Sequence, residues 1–458
     1  MSSTAAPVRA AGWATRQGAR GARRISVAVS SPPGVLLAAF VVLRLVAVLH
    51  APTTFPDTGT YTALDFLGRD ERLWTVPLVW NIVPGNHLRE GVQIVLGIVA
   101  WSMFAVILSR MIINKWVRWL GMASALMLGL VTQVTNWDNA LLSESLSTSL
   151  LVILVGVLLL LFEDRRSRVV WACLCVATLW VFTRQSNVMI YLGVLPFLLV
   201  FTLRRSQRRR AIWVAIVLVA IGLWGGFAIT RDTAASGALW KYNAVEILED
   251  RIAPDPSALQ FFEARGLPHP PVLLAQRGAF RGSSPLFSDP SFMGWVDHHF
   301  KSTYLSYLLR HLTYFVREPL FQTLTLVSEP LSYGPNALAV LPTPLSQALW
   351  GTTEGDLPFW LAVAAALAVF AYVRGLPIRR IPIAGLLLLA AVIGAIVIWN
   401  SATEELPRLF LPVAIFLRLG ILLTIAFSAD ALIEGAGASQ QAGTRQRQPE
   451  QPPPATAV

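Results

Sequence analysis

Phe55-Pro56-Asp57-Thr58-Gly59-Thr60-Tyr61 follows the apolar run 33–50 by only a few residues. A helix that crosses a bilayer needs about 17–25 apolar residues, so this stretch places a carboxylate, Asp57, at a membrane edge. The Pro, Gly and Thr around it make a turn, the kind of connection that holds a reactive group outside regular structure. If 58–67 is helical, Asp57 is its N-cap, and Tyr61 and Asp65 continue along one face. Capping alone is the plainer reading of the aspartate.

Working outward, the composition agrees with a membrane setting. Of 458 residues, 55% are hydrophobic and 14% charged, with a mean hydropathy of +0.57, more apolar than a soluble domain. Apolar runs fall near 33–50, 91–109, 116–135, 140–162, 168–183, 187–203, 211–230, 357–374, 381–400 and 406–428. The expectation is an all-α polytopic membrane protein with about ten transmembrane helices. A net charge of +11 does not point to nucleic acid, because the basic residues form short clusters between the apolar runs, where they orient a membrane protein. Cys173 and Cys175, two apart on one apolar run, point to different sides, which argues against a disulfide or metal site and for inert buried thiols.

The clusters at Arg23-Arg24, Arg110 to Arg118, Arg165 to Arg168, Arg204 to Arg210, Arg374 to Arg380 and Arg445 to Arg447 then lie on the cytoplasmic side. Of the 26 acidic residues, Glu163, Asp164, Asp430, Glu434 and Glu450 alone share it. Both termini are expected in the cytoplasm of a multi-pass cell-membrane protein. The Arg23-Arg24 pair before an apolar run is read as flanking a retained anchor rather than an export signal. Five segments follow: a disordered tail, 1–32; a module of about seven helices, 33–230, with an outer loop at 51–90; an extracytoplasmic segment, 231–356; about three helices, 357–428; and a disordered tail, 429–458. The segment 231–356 is too long for a bare loop and reads as a small helical cap. Within it, 295–317 reads as one helix along the membrane surface, its Phe300, Tyr304, Tyr307 and Phe315 at headgroup level.

Four outer constellations carry charge. Asp57 and Tyr61 form the first, followed by Asp65, Asp70 and Glu71. Asn136-Trp137-Asp138-Asn139, read as an outer turn, precedes Leu142-Ser143-Glu144-Ser145-Leu146, where Glu144 lies inside an apolar helix and needs a partner or an aqueous cavity. Thr183-Arg184-Gln185-Ser186-Asn187 and Glu404-Glu405-Leu406-Pro407-Arg408 complete the set. Arg184 and Arg408 offer fixed positive charge at the level of lipid phosphates, with interfacial snorkelling as the alternative. Arg44 and Arg418 lie deeper, where a lone arginine pairs or snorkels. His298-His299 beside Asp297 lacks ligand spacing, because adjacent helical residues do not face one another.

These residues resemble the GT-C superfamily of integral-membrane glycosyltransferases, which take sugars from polyprenyl-phosphate carriers. Pro56-Asp57-Thr58-Gly59-Thr60-Tyr61 is similar to its first outer-loop motif, and Ser143-Glu144-Ser145-Leu146 to its S-E-x-L helix start. Thr183-Arg184-Gln185 is similar to its t-R-P segment with Gln185 in place of proline. Glu405-Leu406-Pro407-Arg408 with Leu411-Pro412 is similar to the start of a late span, with Leu409 where an aromatic is frequent. The resemblance covers 33–200 and 380–428, and not the long outer segment. It implies Asp57 as general base, Arg408 and Arg184 on the donor phosphate, and Glu144, Asp138, Tyr61 and Glu405 orienting the acceptor or the arginines. It also implies an inverting transfer, on the outer face, from a polyprenyl-phosphate-linked sugar to a glycan, lipid or protein acceptor of the cell envelope. No cofactor is implied, and a divalent cation between Asp57 and Asp138 would lack a matching third ligand.

A flippase of lipid-linked sugars would use the same kinds of residue, with Arg418 as a mid-depth contact. A non-catalytic assembly subunit would keep the helices without needing Asp57.

Overall fold

The computed structural model describes residues 32–446 apart from 50, 68–71, 164–165, 206–207, 236–238, 269, 277–283, 329–336, 352–354, 377–379 and 404. The expectations for the two extreme tails and for Asp70, Glu71 and Glu404 lie outside these residues. The described chain is helical, and its one extended contact is a parallel bridge between Thr53 and Ala140.

The first half comprises α1 (Pro32–Ala47), a 3-10 helix (Pro56–Thr62), α2 (Thr75–Ile82), α3 (Asn86–Met111), α4 (Lys115–Leu128), α5 (Thr132–Asn139) and α6 (Ser143–Glu163). After these come α7 (Ser167–Val181), α8 (Gln185–Arg205) and α9 (Arg208–Ala235). The cap region holds α10 (Leu239–Ile247), a π turn (Leu248–Ile252), α11 (Pro256–Glu263), α12 (Pro270–Ala275), α13 (Pro290–Trp295), a second π turn (Val296–Phe300) and α14 (Lys301–Arg310). Then follow α15 (Leu312–Ser328), α16 (Thr343–Trp350), α17 (Asp356–Val373), α18 (Ile381–Ser401), the single turn α19 (Leu406–Leu409) and α20 (Leu411–Gln446).

Helices occupy all ten places the apolar runs mark, but among the described residues six of them are long and apolar enough to cross a membrane: α3, α6, α9, α17, α18 and α20. The pair α4 and α5, bent by 45° at its break, would make a seventh. The expected count of ten is therefore not established. The shortfall lies in α1, α7 and the first part of α8, apolar helices of 10–17 residues that need tilt or a thinned bilayer to reach both faces.

The long helix α20 organises the bundle, packing on α18, α17, α4 and α6. An apolar 18-residue stretch within its segment Leu411–Ala436 is 89% buried within the protein, against 17% for α17 at the periphery. The expected tail from 429 is corrected, because α20 continues to Gln446. Two facts sustain the extension: the run Ala429-Asp430-Ala431-Leu432 is rich in good helix formers, and Asp430 accepts from the backbone N–H groups of Ile113 and Asn114. Those donors sit just ahead of α4, where Asn114 in turn caps Trp116 and Val117.

The cap has its own apolar core, formed by Val245, Ile252, Phe262, Phe292, Val296 and neighbours. This core corrects the surface helix expected over 295–317. That stretch is broken among a π turn, α14 and α15, and Phe300, Tyr304, Tyr307 and Leu308 face the cap interior. Two further readings change. Asp57 lies inside the first turn of the 3-10 helix, whose N-cap is Phe55. Of the two thiols, Cys173 is buried and Cys175 exposed.

Candidate active site

The loop bearing Asp57 is fastened to the start of α6. The Thr53 N–H donates to the Asn139 carbonyl at 2.8 Å, and the Leu141 N–H returns to the Thr53 carbonyl at 3.0 Å. Thr58 repeats the attachment: its hydroxyl accepts from the Phe55 N–H and donates to the Leu141 carbonyl. Pro56 begins the turn with a fixed φ and no N–H to leave unsatisfied. Two residues beyond Leu142 stands Glu144, in the first turn of α6, where the aligned peptide N–H groups favour a negative charge.

Three arginines meet three carboxylates there. Glu144 is fully buried; its Oε1 accepts from Nε of Arg408 and lies 3.2 Å from Nη2 of Arg184. Arg408 continues outward, with Nη1 2.9 Å from Oε2 of Glu405 and both terminal nitrogens 3.4 Å from Oδ2 of Asp57. The other oxygen of Asp57 is 3.1 Å from Nη2 of Arg72. Exposure grades along this chain: the side chain of Glu144 is sealed, that of Arg408 is 7% exposed and that of Asp57 38%. The arrangement has a rigid inner end and an outer carboxylate held by contacts long enough to exchange.

Backbone conformation supports Arg408. Glu405 has φ 52° and ψ 22°, the sole left-handed non-glycine among the described residues. Such a conformation costs on the order of 1–3 kcal/mol and persists where surroundings over-determine it. Here it lets the chain leave α18 and turn sharply into α19, with Arg408 one turn on and buried. Tyr61 forms the floor beside Asp57, edge-on to Trp80 at 4.9 Å and under the Arg72 guanidinium at 5.2 Å. Burial first, and then the nearby Glu144, push its phenol above the usual range, so it keeps its proton.

Of the residues singled out in sequence, Asp57, Tyr61, Glu144, Arg184, Glu405 and Arg408 come together. Asp138 does not join them. It closes α5 rather than sitting in an outer turn, and its two oxygens are taken by Arg44 at 2.8 Å and by the Ser145 hydroxyl at 2.7 Å. Asp57 and Asp138 thus serve different arginines, and among the described residues no three His, Cys, Asp or Glu side chains group to hold a metal. The motifs pass over Arg72, although a signal exists: it is a basic residue in a loop that the charge pattern assigns to the outer side, against the usual sidedness.

No family model matches the chain, and no curated protein matches it. Among solved structures it is similar to the archaeal oligosaccharyltransferase AglB from Archaeoglobus fulgidus, in complex with an inhibitory peptide and a dolichol-phosphate. The identity is 13%, over 91% of this chain and 52% of that one, with a TM-score of 0.41. The chain spans about half the length of that structure.

Proposed function

We propose that the protein is a membrane glycosyltransferase that moves a sugar from a polyprenyl-phosphate donor to a glycan, lipid or protein acceptor at the outer face, with both termini in the cytoplasm. The observation that carries this reading is the half-exposed Asp57 bridged between Arg72 and Arg408. Sugar transfer from a lipid phosphate needs a base for the acceptor hydroxyl and cations for the departing phosphate. A phosphate arriving at Arg408 competes for the guanidinium that Asp57 holds loosely, and releases the carboxylate to take the acceptor's proton. The acceptor oxygen then bonds to the anomeric carbon as the carbon–oxygen bond to phosphate breaks, and the electron pair leaves with the phosphate.

In this reading Arg408 holds the phosphate directly and Arg72 holds it from the exposed side. Arg184 contributes positive charge from behind while neutralising Glu144. Glu144 and Glu405 aim Arg408, Tyr61 donates to the acceptor or to Asp57, and Asp138 steadies the first turn of α6 through Ser145. No cofactor enters these steps. The transporter reading loses its mid-depth contact, because Arg418 is packed on the Trp350 ring and donates to the carbonyls of Val327 and Trp350.

The test supplies purified protein with radiolabelled polyprenyl-phosphate sugars and a panel of acceptors. Asp57→Asn is expected to lower transfer by about 10²–10⁴-fold, the usual contribution of a general base. Near wild-type transfer by the variant removes Asp57 from that role. Passage of lipid-linked sugar across liposomes without new glycosidic bonds establishes the transporter instead.

A further inference from the structure

The cap meets the bundle at the C-terminal end of α18, immediately before the turn that presents Arg408. Arg251, from the first π turn, donates through Nη1 to the Trp399 carbonyl and through Nη2 to the Ala402 carbonyl. Its guanidinium lies 4.0 Å from the centroid of the Trp399 ring. One residue on, the Thr403 hydroxyl donates to Oε2 of Glu246 at 2.8 Å, and Asn400 donates to the Phe315 carbonyl in α15 at 3.2 Å.

These contacts fall on one short stretch. The last carbonyls of a helix lack partners within it and carry its negative end, so a planar cation with a forked donor set both satisfies and orients them. Two residues past the Thr403 contact comes Glu405, whose left-handed backbone needs external support, and three residues further Arg408.

Resting on the function proposed above, we propose that Arg251 and Glu246 are positioning residues: the cap clamps 399–403 and so holds the Glu405 turn that aims Arg408 at the donor phosphate. Neither touches the reacting atoms. The cap, the part of the chain with no counterpart in the site motifs, thereby sets the geometry of the anion-binding arginine. A displacement of about 1 Å at a reacting group, caused from a distance, costs up to about a hundredfold, and the clamp is the device that prevents it.

The experiment uses the full-length protein in lipid nanodiscs, with a sugar-free polyprenyl phosphate as probe and the neutral polyprenol as control. Arg251→Ala is expected to weaken phosphate binding by about 10–100-fold and to leave polyprenol binding unchanged. Because Arg251 acts through Arg408, the same substitution in an Arg408→Gln background is expected to cost less than about twofold, a non-additivity that a merely structural role does not produce. Thr403→Val, a gentler variant that removes the Glu246 contact, is expected to shift binding in the same direction by about threefold and keeps the test available if Arg251→Ala folds poorly. Amide exchange at Leu409 and Phe410, which close the α19 turn on Glu405 and Leu406, is expected to speed up in Arg251→Ala while mid-α20 amides stay protected. Equal losses in both backgrounds, or unchanged phosphate binding in Arg251→Ala where Arg408→Gln abolishes it, overturn the clamp. If Arg408→Gln binds phosphate like wild type, the functional reading fails instead, and the exchange at Leu409 and Phe410 decides the clamp by itself.

Discussion

Two arginine–carboxylate contacts in this bundle use the same chemistry to opposite ends. Arg44 of α1 and Asp138 of α5 lie 2.8 Å apart with side chains 1% and 2% exposed. Arg44 also donates to the Gly129 carbonyl, and Ser145 takes the second oxygen of Asp138. Gly97 makes the space, since a Cβ there would stand 2.5 Å from Nη2 of Arg44. Around Asp57 the contacts to Arg408 stretch to 3.4 Å and more than a third of the carboxylate side chain is open. Where both charges are sealed, the pair ties helices together; where one is left loosely held, it remains available to a ligand.

The largest expected effect tests that division directly. Removing one member of a sealed pair strands the other, at a cost of about 3–5 kcal/mol. Arg44→Met is therefore expected to lower the denaturation midpoint in detergent sharply, with most of the loss recovered in the Arg44→Met/Asp138→Leu double variant. Asp57→Asn is expected to change stability by no more than about 1 kcal/mol, as for exposed pairs. Comparable losses from the two substitutions would erase the distinction.

A buried carboxyl in the cap sharpens it, for Glu249 has a hydroxyl partner, Ser284 at 2.7 Å. Burial pushes its carboxyl from an ordinary 4.5 up to about 7. The folded form holds the proton that the unfolded chain releases, so this group's contribution is complete below pH 4.5 and fades as pH rises through 7. Unfolding free energy is expected to fall by roughly 3 kcal/mol across that window. Glu249→Gln should remove this component from the pH profile of the melting midpoint, and an unaltered profile would refute it.

The smallest effect concerns Glu405. Glycine there relieves a left-handed backbone but deletes the 2.9 Å partner of Arg408, so Glu405→Gly is expected to leave stability within about 1 kcal/mol. The donor KM is expected to rise by about tenfold, measured in the same transfer assay. A stability loss as large as that of Arg44→Met would place Glu405 with the sealed pair instead.

What could be read from residues alone follows the cost of charge. Glu144, Arg184 and Arg408 stand out because an apolar helix end tolerates ionised groups only with partners, and their order along the chain suffices to suggest a shared pocket. Partner choice is another matter. Asp138 looks like a cap and Arg44 like a snorkelling residue, and nothing local tells that residues 94 apart neutralise each other. The aromatic face of 300–308 was legible as apolar, but a lipid headgroup layer and a cap interior ask for the same side chains, so periodicity does not separate them. At the other end, the Ala, Gly and Gln of 435–446 suggest disorder by composition while alanine's propensity favours the helix that forms.

The spacing of these partners also bears on how the protein is made. Asp138 leaves the ribosome 94 residues after Arg44, whereas Arg408 follows Glu144 by 264 and Asp430 follows Asn114 by 316. Translation therefore delivers the sealed pair early and Arg408 near its end. Until then Arg184 is the charged partner Glu144 has among the described residues, so a chain interrupted before the last helices carries the sealed Arg44–Asp138 pair and lacks the Arg408 contacts.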